Sequence, residues 1–174
     1  MKQLELEKTY LAKYIPDNIK EYKHKEIIDI YIPESYEHPT LRIRKNADKY
    51  EMTKKVPLSN DDFSKQNEYT ISLDKEEYKT LSTIKGKRVE KIRYYFEYQS
   101  NIAEIDIFQN NLLGLILVDF EFNTVEELEK FVIPDFCLIE VTQEEFLAGG
   151  KVCGKTYKDI EEELKRFKYK KLTL

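Results

Sequence analysis

The sequence predicts an α+β fold that is mainly β: a closed antiparallel barrel of about eight strands, charges turned inward, with helices packed outside. Three observations predict it. Runs of period-2 alternation recur along the chain. Their polar positions carry clustered Arg, Lys, Glu and Asp rather than the Ser, Thr and Gln that commonly dilute a wet sheet surface. Capping patterns announce helices that would cover the apolar faces.

In 4–10, Leu4, Leu6 and Tyr10 share a face with Lys8, and Glu5, Glu7 and Thr9 share the other. A weaker strand is expected at 26–32 (EIIDIYI). LRIR (41–44) sets Leu41 and Ile43 against Arg42 and Arg44, and YEMTKK (50–55) aligns Glu51, Thr53 and Lys55. Residues 68–73 form a second weak strand. KIRYYFEY (91–98) opposes Lys91, Arg93, Tyr95 and Glu97 to Ile92, Tyr94, Phe96 and Tyr98. Glu104 and Asp106 alternate with Ala103, Ile105 and Ile107, and Asp119 and Glu121 with Val118, Phe120 and Phe122. Asn110, Asn111 and Gly114 mark a hairpin turn between the last two runs. A last weak strand falls at 137–141.

Asp74 with Glu77, Thr124 with Glu127 and Thr142 with Glu145 fit capping boxes, each opening a helix. A fourth helix, 156–167, carries Tyr157, Ile160 and Leu164 on one stripe, and a short one is expected within 15–22. Pro33, Pro39, Pro57 and Pro134 sit at element edges, and no linker or repeat interrupts the sequence, so one domain spanning 1–174 is expected.

Charged residues make up 36% of the chain and hydrophobic ones 41%, which favours a folded core over disorder. The 33 acids and 29 bases nearly cancel, so the totals give no steering toward nucleic acid or membrane, and neither is an expected partner. No apolar run suggests a signal peptide or membrane span, and a cytoplasmic protein, monomer or homodimer, is expected. Cys137 and Cys153 lack metal or redox spacing and read as buried hydrophobes; His24 and His38 are assigned no role. The aromatics of 94–98 read as wall filling rather than a base-stacking platform, and KRFKYKK (165–171) as a solvated basic helix end.

Charges closed inside a barrel need partners. Arg42, Arg44, Lys55, Lys91 and Arg93 suit phosphate oxygens, which guanidinium groups bind bidentately. The acid pairs Glu5/Glu7, Glu104/Asp106 and Asp119/Glu121 suit a hard divalent cation. The two sets together describe a metal-polyphosphate site.

These residues resemble the CYTH superfamily of triphosphate tunnel metalloenzymes, which includes class IV adenylate cyclases, thiamine triphosphatases and inorganic triphosphatases. ELEKTYL (5–11) resembles the family's E-x-E-x-K-[FY]-L start, LRIR its basic pair and YEMTKK its T-x-K strand. KIRYYF, the IAEIDIF to LILVDFEF hairpin, and PDF…EVT (134–142) follow in the family's order.

The resemblance implies an eight-stranded tunnel that hydrolyses the terminal phosphoryl group of inorganic triphosphate or a small organic triphosphate, with Mg2+ or Mn2+. It makes Arg42, Arg44, Lys55 and Arg93 phosphate ligands with catalytic roles, joined in substrate binding by Glu68 and Lys91. Glu5 and Glu7 become catalytic and metal-side acids, with Asp119 and Glu121 as the second metal pair. Lys8, Thr9, Glu104 and Asp106 are lining candidates. The motif lysine is Thr9 here, and Lys8 would need a bulge to turn inward. Only Glu68 stands where the family has two acids in 66–71. A class IV-type cyclase and a non-catalytic polyphosphate or nucleotide binder are the alternative readings.

Overall fold

A computed structural model of the chain describes the backbone of residues 2–58 and 64–174, and the side chains of 6–58, 64 and 66–174. Its strands are β1 (Lys2–Ala12), β2 (His24–Ile32), β3 (Leu41–Asn46), β4 (Lys49–Pro57), β5 (Lys65–Leu73), β6 (Lys87–Tyr98), β7 (Asn101–Phe108), β8 (Ile116–Glu121) and β9 (Cys137–Glu140). The helices are α1 (Lys75–Leu81), α2 (Val125–Lys130), α3 (Gly149–Val152) and α4 (Tyr157–Lys165). The protein is therefore mostly β, as its alternation requires.

All nine strands belong to one antiparallel sheet, in the order β5-β4-β3-β2-β6-β7-β8-β1-β9. β1 divides its pairing: Lys2–Leu6 runs against β5, while Glu7–Leu11 runs against β8. The two ends of the eight-strand series thus meet on β1. β9 joins β1 alongside, over Tyr10–Ala12.

The apolar alternate positions pack outward under the helices and connecting segments. Tyr10, Ile105, Val118 and Phe120 form one cluster with Tyr94, Phe96, Phe131 and Phe136. Phe120 is fully buried, edge-on to Tyr10 at 6.0 Å and tilted against Phe131 at 4.5 Å, and Tyr94, Phe96 and Tyr98 fill the same wall as expected, whereas Tyr95 stands opposite Glu104 on the other face. Tyr157, Ile160 and Leu164 of α4 bury their stripe against Leu11, Leu115 and Leu117. α1 covers Ile30, Ile32 and Ile43 with Tyr78 and Leu81. Cys137 and Cys153 are buried and free.

Local signals hold where nothing distant competes. Asp74 and Glu77 form the full capping box. At α2 the box is offset: Thr124 Oγ1 accepts from Glu127 N, but the Glu127 carboxylate accepts from Asn123 N. The helix expected to open at Thr142 does not form. Thr142 Oγ1 instead accepts from Thr9 N and donates to Glu140, leaving a 3-10 turn at Glu145–Leu147. The helix expected in 15–22 is likewise a 3-10 turn, Ile19–Glu21. The expected hairpin joins β7 to β8 through another such turn, Asn110–Leu112, followed by Gly114, whose φ of +107° is one that glycine tolerates.

Candidate active site

Register assembles the site. Across β6 and β7, Arg93 stands opposite Asp106 and Tyr95 opposite Glu104. Glu104 faces Asp119 on β8, and Asp119 and Glu121 face Thr9 and Glu7 on β1. Further round, Glu68 of β5 meets Lys55, Thr53 meets Arg42, and Arg44 meets Asp29. Because alternate residues share a face, these positions, Tyr95 and Asp29 apart, line one cavity of about 310 Å³.

Of the residues singled out in the sequence, Glu7, Thr9, Arg42, Arg44, Lys55, Glu68, Lys91, Arg93, Glu104, Asp106, Asp119 and Glu121 line this cavity. Glu5 is in β1, but its side chain lies outside the described residues. Lys8 is a correction. β1 runs in unbroken register through Glu7–Leu11 against β8, so Lys8 stays on the opposite face and its ammonium stands 3.5 Å from Glu140 of β9.

Arg93 is the most heavily engaged cation. Its Nε and one terminal nitrogen donate to the two oxygens of Asp106 at 2.6 and 2.7 Å, its other terminal nitrogen donates to Glu104, and Asp119 Oδ2 lies at 3.5 Å. Lys91 also donates to Asp106. Lys55 Nζ sits 3.8 Å from carboxylates of both Glu7 and Glu68. Thr70 donates to Glu68 at 2.7 Å, and Thr9 Oγ1 to Asp119 Oδ1 at 2.7 Å.

Arg44 Nε and Nη2 donate to the two oxygens of Asp29 at 2.6 and 2.8 Å. Arg42 Nε is buried without a hydrogen-bond partner among the described residues, 3.8 Å from Asp29 Oδ1. A buried N–H left unmade costs about 1–3 kcal/mol, so this donor calls for an acceptor that none of the described residues supplies.

The ionisation pattern divides the ring. Burial would raise the Asp106 carboxyl, but Arg93 and Lys91 outweigh burial and hold it at about 2. Burial lowers Lys91 despite Asp106, whereas Arg93 rises well above its usual value because Asp106 overcomes its burial. Glu104 and Asp119 are pushed up, first by burial and then by neighbouring carboxylates. That strained acid cluster is all oxygen, with no Cys or His donor in it, and so fits a hard cation such as Mg2+ or Mn2+ better than a soft one. Among the described residues, no three His, Cys, Asp or Glu side chains already converge in metal-holding geometry.

Asp29, Tyr31 and His38 were not read as site residues. Tyr31 and His38 line the cavity, and Asp29 is hydrogen-bonded to the lining residue Arg44. The available signal was an acid and a tyrosine two apart in an apolar strand, which share a face. His38 approaches Glu145 at 3.2 Å, and the segment carrying Glu144, Glu145 and Gly149 completes the lining. No helix among the described residues is long and apolar enough to cross a membrane.

No family model matches the chain. Inorganic triphosphatase from Nitrosomonas europaea is 30% identical over 142 residues, 80% of this chain and 90% of that protein. The crystal structure of an inorganic triphosphatase matches with a TM-score of 0.62 at 26% identity, over 86% of this chain and 93% of that one. A candidate adenylate cyclase from Bacillus halodurans shares the fold, with a TM-score of 0.57 at 15% identity over 99% and 94% of the two chains. With nine-tenths of the Nitrosomonas enzyme matched and the ELEKTYL, LRIR and YEMTKK strands set round one charged cavity, the chain belongs to the CYTH superfamily, the family of the inorganic triphosphatases.

Proposed function

We propose that the protein hydrolyses the terminal phosphoryl group of inorganic triphosphate, or of a small organic triphosphate, inside a closed eight-stranded tunnel formed by β1–β8. One domain, residues 1–174, carries the activity. The observation that carries this reading is Arg42 Nε, a buried donor with no hydrogen-bond partner among the described residues, in a wall shared with Arg44, Lys55, Lys91 and Arg93. A linear phosphate chain offers acceptors at repeated spacing along such a wall. Kinship with an inorganic triphosphatase supports the same substrate class.

Arg42, Arg44, Lys55, Lys91 and Arg93 bind the phosphate oxygens and stabilise charge as the terminal group transfers to water, while Glu68 orients Lys55. Glu7, Asp119 and Glu121, with Glu5 two residues before Glu7 on β1, would hold Mg2+ or Mn2+. When bound, the ion supplies charge neutralisation at the phosphate oxygens and orders water. Thr9 and Glu104 complete the acidic side, and Thr9 fixes the orientation of Asp119 through its hydroxyl.

The test is phosphate release from inorganic triphosphate, thiamine triphosphate and ATP with Mg2+, Mn2+ or excess chelator, beside Glu5→Gln/Glu7→Gln. Metal-dependent release that the double variant loses is the expected result. Cyclic AMP from ATP would instead establish the cyclase alternative. Triphosphate binding without release from any substrate would leave a binder.

A further inference from the structure

Asp29 is 2% exposed and shares the inward face of the sheet with its register partner Arg44, which lines the cavity. Arg44 presents one edge of its guanidinium, Nε and Nη2, to the two carboxylate oxygens of Asp29. A guanidinium carries five N–H donors in a rigid plane, so this side-on fork leaves its remaining edge for the cavity. The same Oδ1 stands 3.8 Å from Arg42 Nε. One buried carboxylate therefore sits beside two cationic groups that are two residues apart on β3 and repel one another.

Stability alone does not account for this arrangement. A buried ion pair is often no more stable than an apolar pair of the same volume, so Ile or Leu at both positions would hold β2 against β3 equally well. Arg44 also has a competing partner, because Glu51 of β4 is its register neighbour on the other side and faces the same cavity. Released from Asp29, Arg44 would turn to Glu51 and present its charge to an acid rather than to an anion. A long side chain with many rotamers must be fixed before it can meet a phosphate oxygen in preset geometry.

We propose that Asp29 is a positioning residue for phosphate binding, which aims the free edge of Arg44 into the cavity. The inference rests on the reading of the cavity as a triphosphate site. It is tested by titrating inorganic triphosphate in excess chelator, by calorimetry, into wild type, Asp29→Asn, Asp29→Glu, Arg44→Ala and the Asp29→Asn/Arg44→Ala double variant. Thermal melting of each establishes that it is folded.

Losing one charge-assisted hydrogen bond to the ligand weakens binding by roughly 10- to 100-fold, and a rise in Kd of that size is expected in Asp29→Asn. Asp29→Glu keeps the charge but displaces the carboxylate by one methylene, and the same direction is expected. In the Arg44→Ala background, Asp29→Asn is expected to add less than about twofold, because the two residues act as one unit. An unchanged Kd in folded Asp29→Asn overturns the proposal, as does an equal loss with and without Arg44. If Asp29→Asn does not fold, an unchanged Kd in Asp29→Glu overturns it. Wild type that fails to bind triphosphate refutes the parent reading as well, whereas wild-type binding matched by the Asp29 variants refutes this inference alone.

Discussion

Replacing Asp106 by alanine removes the one carboxylate that accepts from both Lys91 and Arg93. Asp106 is 1% exposed and the two cations are themselves nearly buried, so little water replaces the lost acceptor. Two routes give the size of the effect. Depression of the carboxyl from 3.8 to about 2 corresponds to roughly 2 kcal/mol at 1.36 kcal/mol per pKa unit. Breaking a buried pair by deleting one partner costs about 3–5 kcal/mol, because the other charge is left uncompensated. The second figure is larger because protonation leaves a neutral acceptor in place, whereas deletion leaves none. Arg93 keeps Glu104, with Asp119 at 3.5 Å, so the low end, about 3 kcal/mol, is expected.

Urea unfolding at neutral pH, followed by circular dichroism, measures this difference. The pH dependence provides a second check. The folded pKa is depressed, so the contribution of Asp106 is fully present above 3.8 and is lost as pH falls through about 2. Wild type is therefore expected to lose stability across that window more steeply than Asp106→Ala. A difference under about 1 kcal/mol, the range of an exposed ion pair, or parallel acid profiles for the two proteins, would refute the reasoning.

Gly149→Ala would bring a methyl group to 2.0 Å from the Tyr31 hydroxyl and 2.9 Å from its ring, where Tyr31 lines the cavity. A loss of about 1–3 kcal/mol, read as a lower melting temperature, and weaker triphosphate binding are expected together, and an unchanged melt would show that Tyr31 has room to yield. Thr9→Lys restores an ammonium opposite Asp119 in place of a hydroxyl. Roughly tenfold tighter triphosphate binding and faster phosphate release are expected from one charged hydrogen bond of about 1.5 kcal/mol, and weaker binding in a folded variant would contradict it.

Much of this architecture is legible along the chain because its signals are short-range. Period 2 alone decides which side chains of LRIR, YEMTKK and KIRYYF share a face, and the same rule correctly keeps Lys8 away from Thr9. Asp74 and Glu77 cap α1 within four residues, and the α4 stripe buries Tyr157, Ile160 and Leu164. Thr142 shows where such signals stop. Its spacing from Glu145 fits a capping box, but Thr9 N, 133 residues away in sequence, claims the hydroxyl once β9 lies beside β1.

The sequence by itself determined the strand faces, the charged lining and the resemblance, since each depends on residue type at fixed local spacing. Only the tertiary structure decided who meets whom. β1 splits its edge between β5 and β8, so the two ends of the strand series meet and bring Lys55 of β4 near Glu7 of β1. β2 lies between β3 and β6, which sets Asp29 against Arg44 and within the field of Lys91. Alternation fixes a side chain's face but carries no information about its neighbouring strand. That choice follows from burying the apolar faces and pairing every strand edge at once, which is a property of the whole chain.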